Sequence, residues 1–264
     1  MSDPRDAAQR LPPLRRGAHP ACKVCGAPTV PFGAKDFNRN CEEVRGLQLP
    51  ELGAAIEYHR CTRCGLIFTG AFDDWRDEDF AAHIYGEGYG AVDPDYAESR
   101  PVNMAKGIGD LFAAYRDRRV LDYGGGNGRF AEELRRKGFG SVTTYDRFSP
   151  AFARRPEGRF DLITALETLE HMPDPLAGAA DIASLLAPGG LIATSTLLQP
   201  ANIGQIGVEW WYIGPRNGHV TLHSRASLGV MWGKQGLKSV AWTDNAQVAG
   251  VSPPKTPEGV RPAA

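Results

Sequence analysis

The chain has 264 residues, enough for one α/β domain of ordinary size plus a small module. Hydrophobic residues make up 42% and charged ones 23%, as in soluble globular proteins, and a formal net charge of −1 gives no overall pull toward nucleic acid or anionic membrane. No apolar run reaches the ~18 residues of a membrane span, and MSDPRDAAQRLPPLRR lacks the apolar stretch of a secretory signal, so a cytoplasmic location with no membrane partner is expected.

In chain order, residues 1–20 read as a disordered lead, and 251–264 as a disordered tail. Residues 21–66 form a cysteine-bounded module. The stretch 67–100 carries nine acids against Arg76 and Arg100 and is expected as an acidic, aromatic linker or lid. Its Tyr85 and Tyr89 either fold over a ligand or pack a linker helix. From Pro101, an apolar stripe of Met104, Ile108, Leu111 and Phe112 at helical spacing opens the main domain, 101–250.

Strands are predicted over 119–123, 141–145, 160–165 and 191–196, with helices over 129–137 and 175–186 and a turn at 187–190. Residues 237–242 and 246–251 are candidate closing strands. Such alternation implies a Rossmann-like, doubly wound α/β fold with a mostly parallel sheet.

All five cysteines lie within residues 1–64. Cys22-Lys-Val-Cys25-Gly26 and Cys61-Thr-Arg-Cys64-Gly65 are two copies of one knuckle, and a C-x-x-C turn places two thiolates on one ion. The glycine after each pair tolerates the positive φ of a sharp reversal. A redox dithiol needs one such motif in a βαβ context, not two. A small zinc-ribbon-like module with a structural zinc on Cys22, Cys25, Cys61 and Cys64 is therefore expected, with iron the chemical alternative and Cys41 a bystander.

The central motif is Asp122-Tyr123-Gly124-Gly125-Gly126-Asn127-Gly128, after a predicted strand and before a predicted helix. A dinucleotide fingerprint would place glycine at 129, where Arg129 stands, which disfavours a dehydrogenase. The acid two residues before Gly124 suits a cationic ligand such as S-adenosylmethionine and does not suit a pyrophosphate. Asp146 ends the second strand, where an acid accepts hydrogen bonds from ribose hydroxyls.

With these residues the sequence resembles class I methyltransferases over about residues 100–245. A second block of that family runs from Phe160 to Pro175, and Gly189-Gly190-Leu191-Ile192 resembles the entry to its fifth strand. The resemblance implies S-adenosylmethionine as cofactor, held by Asp122, Gly124, Gly126, Gly128, Asp146 and Glu167. It departs from the pattern between Asp146 and Phe160, where 147–159 is too short for the usual helix and third strand. That strand is expected to be vestigial.

Methyl transfer from a sulfonium rewards proximity and in-line orientation, and a hydroxyl or amine acceptor gains from a base. His171, in the second family block, and His219, in Gly214-Pro215-Arg216-Asn217-Gly218-His219 after the fifth strand, are the catalytic candidates, one acting as base. Each otherwise shapes its loop. Trp210-Trp211 either stack on substrate or pack the core.

Zinc-module methyltransferases of two kinds resemble this layout: enzymes of sugars or other small metabolites, and RNA methyltransferases. Residues 1–64 hold ten basic and seven acidic side chains, and the following 36 have a net charge of −7. Such a surface repels phosphate, so a small-molecule acceptor is expected, with RNA as the alternative. A non-catalytic binding protein is a third class, disfavoured by the intact glycine loop.

Overall fold

The computed structural model describes residues 11–16, 20–86 and 88–257; 13 of the 20 residues of the expected disordered lead and half of the expected tail fall outside them. The strands in chain order are β1 (Thr29–Asp36), β2 (Ala55–Cys61), β3 (Ile67–Thr69), β4 (Arg119–Tyr123), β5 (Ser141–Tyr145), β6 (Phe160–Leu166), β7 (Leu186–Ser195), β8 (Thr221–Leu222), β9 (Lys238–Thr243) and β10 (Ala246–Gly250). The α-helices are α1 (Asp77–His83), α2 (Tyr89–Val92), α3 (Ser99–Leu111), α4 (Arg129–Arg136), α5 (Pro175–Ser184), α6 (Ile203–Ile206) and α7 (Arg225–Gly233).

Two compact units result. The first takes in the chain up to Asp93 together with Glu170–Pro175 and Leu197–Val230; the second takes in Pro94–Leu169, Leu176–Thr196 and the chain from Met231.

The second unit is built on a six-stranded sheet of order β5-β4-β6-β7-β10-β9. Its β5, β4, β6 and β7 pair in parallel, while β10 runs antiparallel to both β7 and β9. Val120, Leu121, Leu162 and Ile163 are fully buried, as expected of parallel strands covered on both faces. Helix α4 (RFAEELRR) buries Phe130, Ala131 and Leu134 and turns its charges outward. Phe112 stacks on Trp242 at 5.7 Å between centroids, joining the start of the domain to its closing hairpin.

Two expectations are refined here. The turn at 187–190 is an excursion inside one longer strand: the β6–β7 register jumps from Phe160↔Leu186 to Leu162↔Leu191, with Gly189 at φ 76°. Residues 147–159 contain no strand among the described residues, so β5 is the sheet edge. A parallel crossover needs a dozen or more residues, and adding both a helix and a strand to this stretch exceeds its length.

The first unit carries an antiparallel sheet, β1-β2-β3-β8. The expected linker over 67–100 is divided. Its first part supplies β3, and Phe72 and Trp75 pack edge to face at 4.7 Å, with Phe80 against Trp75 at 5.3 Å. Aromatic rings bury too much apolar area to serve as a solvated tether. Residues 197–230, expected within the 101–250 domain, also fall in this unit, because Leu222 of β8 pairs with Ile67 of β3.

Candidate active site

The glycine loop leaves the end of β4 and enters α4 at Gly128, whose φ of 81° no β-carbon tolerates cheaply. Side chains fill the space beneath it. A β-carbon at Gly125 would lie 2.2 Å from Asp122 Oδ2, one at Gly124 would lie 2.6 Å from Thr168 Oγ1, and one at Gly128 would meet the Phe152 ring at 2.8 Å. Glycine is favoured at these three positions by packing, and the loop amides are held internally: Gly124 and Gly125 donate to the Tyr145 carbonyl and Gly128 donates to the Gly125 carbonyl.

Asp122 lies buried under this loop. Thr164 Oγ1 is 3.5 Å from its Oδ1, and its Oδ2 has no hydrogen-bond partner among the described residues. Burial first, and the charge of Asp146 second, push its carboxyl up to about 7. A buried acid without a full set of partners fits a cationic ligand close by. Asp146 closes the loop from the other side: Gly126 donates its N–H to Oδ2 at 2.9 Å, and Phe148 donates to Oδ1 at 2.8 Å.

Glu167, at the exit of β6, has φ 48°, the only positive φ of a non-glycine residue among those described. Such a conformation costs about 1–3 kcal/mol. It is held by Ser195, whose carbonyl and hydroxyl each accept from the Glu167 N–H at 2.9 Å and whose hydroxyl donates to Glu167 Oε1 at 2.7 Å. Stored backbone strain of this kind collects where a ligand must be met. On the N-terminal side, Asn127 donates to the Ala97 carbonyl, and Arg129 pairs with Glu98 at 3.0 Å. The segment beside the glycine loop is therefore 96–98. Tyr85 and Tyr89, read either as a ligand lid or as linker packing, belong to the first unit and pack against each other at 5.3 Å.

In the first unit the two knuckles converge. Cys22, Cys25, Cys61 and Cys64 bring their sulfurs within 4.8 Å of one another, with Cys22–Cys64 at 3.6 Å and Cys25–Cys61 at 3.4 Å. None is in a disulfide. Gly26 (φ 71°) and Gly65 (φ 72°) make the reversals, and pairing of Thr29 with Cys61 sets one knuckle beside the other. The donor set suits tetrahedral zinc.

A second cluster lies in the same unit. Glu170 and His171 come from a 3-10 turn, Leu169–His171, and His219 follows Gly218 (φ 84°) at the end of another, Pro215–Asn217. The imidazoles sit 4.9 Å apart, edge to face. His219 Nδ1 is 2.7 Å from the Tyr212 carbonyl, and His171 Nδ1 is 3.2 Å from the Gly218 carbonyl. A carbonyl only accepts, so in the neutral rings Nδ1 carries the proton and Nε2 the lone pair. Glu170 is fully buried and accepts at Oε1 from the Tyr212 hydroxyl at 2.5 Å.

Cys41, expected as a bystander to the metal, is buried 3.6 Å from His219 Nδ1; burial pushes its thiol well above the ordinary range. Sequence reasoning passed over Glu170, although its place beside His171 in the second block was a usable signal. Trp210 is buried and Trp211 is exposed.

The structure thus brings His171 and His219 together, gathers the four cysteines, and sets Asp122, Asp146 and the glycines around one loop. Glu167 directly follows the last residue of β6, in the same unit as that loop.

A family described as "Methyltransferase domain" matches residues 96–241. The ubiquinone biosynthesis O-methyltransferase of Alkalilimnicola ehrlichii is 36% identical over 104 residues, 30% of this chain and 42% of that protein. Its counterpart in Paracidovorax citrulli is 30% identical over 146 residues, 43% of this chain and 61% of that protein. The chain thus spans about half the length of these relatives. Among solved structures, an O-methyltransferase family protein from Burkholderia thailandensis superposes with a TM-score of 0.51 at 16% identity, covering 67% of this chain and 62% of its own. TnmH gives 0.52 at 19%, covering 66% and 61%. These two likenesses establish the fold.

Proposed function

The chain belongs to the S-adenosylmethionine-dependent methyltransferases, and from that membership we propose that it methylates a hydroxyl of a small molecule, with cofactor at the glycine loop and acceptor activation at the histidine pair. The observation that carries the reading is the loop itself: a positive-φ turn over a buried, under-partnered acid, closed by Asp146. The curated relatives are named for O-methylation, which is why oxygen is put forward as the accepting atom.

In this reading Asp146 exchanges part of its hold on the loop amides for the ribose hydroxyls. Asp122 supplies negative charge beneath the cationic part of the cofactor. Gly124, Gly126 and Gly128, lacking side chains, let the cofactor approach the backbone closely, and Glu167 contributes a carboxylate from its strained position. When bound, the cofactor would supply an activated methyl group for direct displacement by the acceptor oxygen, and one of His171 and His219 would take the acceptor's proton as base. Zinc on Cys22, Cys25, Cys61 and Cys64 would have no open position and would hold the first unit's fold. RNA as acceptor is disfavoured by the net charge of −7 over residues 65–100.

The test is incubation with methyl-labelled cofactor and a pool of small metabolites, followed by identification of the labelled product. Label in a hydroxyl-bearing metabolite is expected; label entering RNA instead would overturn the acceptor class.

A further inference from the structure

Glu170, His171 and His219 have features that a pair of general bases does not require. One nitrogen of each imidazole and one carboxylate oxygen lie within 4.8 Å of one another. Each ring's Nδ1 is anchored on a backbone carbonyl, at 2.7 Å for His219 and 3.2 Å for His171. Ligating histidines almost always donate their second N–H to a carbonyl or carboxylate, which fixes the ring and raises its basicity. The carboxylate is oriented in the same way, because the Tyr212 hydroxyl donates to Oε1. A lone general base needs one imidazole and one orienting partner. Two anchored imidazoles converging with a buried, anchored carboxylate form a three-ligand set.

We propose that Glu170, His171 and His219 bind one divalent transition-metal ion of the zinc class, separate from any ion on the four cysteines. Two histidines and a glutamate are a donor set of catalytic, not structural, zinc, because three protein ligands leave a position open for water or substrate. Imidazole nitrogen with carboxylate oxygen also disfavours magnesium and calcium, which take mainly oxygen. Every residue of the set lies in the first unit, on segments 170–171 and 219 that its fold holds together.

The inference rests on the proposed function only for what the ion does: it refines how the histidines activate the acceptor. A hydroxyl on the open position loses its proton to solvent more readily, because the cation stabilises the oxyanion. The substrate class is thereby narrowed to metal-binding oxygen acceptors, such as phenols or sugars with a neighbouring oxygen.

The test is metal content of the full chain after equilibration with excess zinc and removal of unbound ion, for the parent and for the double variant His171→Ala/His219→Ala. The parent should retain one ion more than the variant. Cobalt added to parent that carries a single equivalent of zinc, which the four thiolates take first, should give weak visible bands typical of nitrogen and oxygen ligands, without the near-ultraviolet charge-transfer band of thiolate coordination. Should the double variant fail to fold, the cobalt titration of the parent decides alone. Equal metal in parent and variant, or no cobalt spectrum in the parent, overturns the proposal. Calorimetry with S-adenosylmethionine on the same parent separates the two readings. Cofactor binding without the extra ion leaves the histidines as bases with no metal; the extra ion without cofactor binding removes the methyl-transfer reading and keeps the metal site.

Discussion

Gly124 to Gly128 reach their geometry within five consecutive residues, by backbone conformation and by the absence of side chains. The Glu170, His171 and His219 cluster is assembled from two segments almost 50 residues apart, and each of its side chains is aimed by a carbonyl or hydroxyl from yet another position. The loop offers close approach to its backbone and one buried acid, which suit holding a ligand. The cluster offers lone pairs at fixed angles, which suit moving a proton or holding an ion. Damage to the first should therefore be read in cofactor affinity, and damage to the second in turnover.

The largest expected effect lies outside that pair, in the unit that carries the cluster. Structural zinc sites contribute apparent binding free energies on the order of 10–16 kcal/mol, so Cys22→Ser together with Cys61→Ser should abolish about one zinc per chain and melt the first unit. Elemental analysis and circular dichroism of the variant check this; a folded, zinc-retaining variant would contradict it.

Next come His171→Gln and His219→Gln. Loss of acceptor activation should lower turnover by ~10²–10⁴, while affinity for S-adenosylmethionine, measured by calorimetry, stays near that of the parent. Turnover within a few-fold of the parent in both variants would place the chemistry elsewhere.

Asp146→Ala is the mirror case. Removing hydrogen bonds to an ionised group should weaken cofactor binding by ~1.5–3 kcal/mol, and turnover at saturating cofactor should change far less than in the histidine variants. Equal damage to affinity and turnover in both sets would erase the distinction between loop and cluster.

What could be read ahead of the structure divides along the same line. The loop, both knuckles and the parallel strands are short contiguous patterns, and glycine spacing, cysteine spacing and apolar runs report them directly. The shortage of a third strand was likewise visible as a simple count of residues between Asp146 and Phe160. Long-range pairing was not visible. Nothing in Thr221-Leu222 announces that this two-residue strand closes a sheet begun at Thr29, so the stretch 197–230 was expected with its chain neighbours. Glu170 gave no periodic signal, and its role depends on Tyr212, 42 residues away. Tyr85 and Tyr89 had two readings, ligand lid or linker packing, and composition did not decide between them; their rings meet each other in the aromatic first unit.

The smallest predicted effect concerns pH. The Asp122 carboxyl is raised from 3.8 to about 7 by burial and by the Asp146 charge. A raised acid contributes stability that is full below its unfolded value and is lost as pH rises through the folded one. Without cofactor, the parent should thus lose stability between about pH 4 and pH 7, and Asp122→Asn should flatten that slope. Thermal melts at several pH values compare the two, and an unchanged slope in the variant would show that Asp122 does not titrate in this window. Cofactor binding has the opposite dependence: ionised Asp122 favours a cation, so affinity should rise over the same range in the parent only.

The central claim is that the glycine loop holds S-adenosylmethionine, and direct calorimetric titration of the full chain tests it. Parallel titrations use S-adenosylmethionine and a nicotinamide dinucleotide, with the parent and with Asp146→Ala. The expected result is saturable binding of S-adenosylmethionine to the parent, weakened by ~1.5–3 kcal/mol in the variant, with the dinucleotide binding more weakly or not at all. Tighter binding of the dinucleotide, or no binding of S-adenosylmethionine by the folded parent, would contradict it.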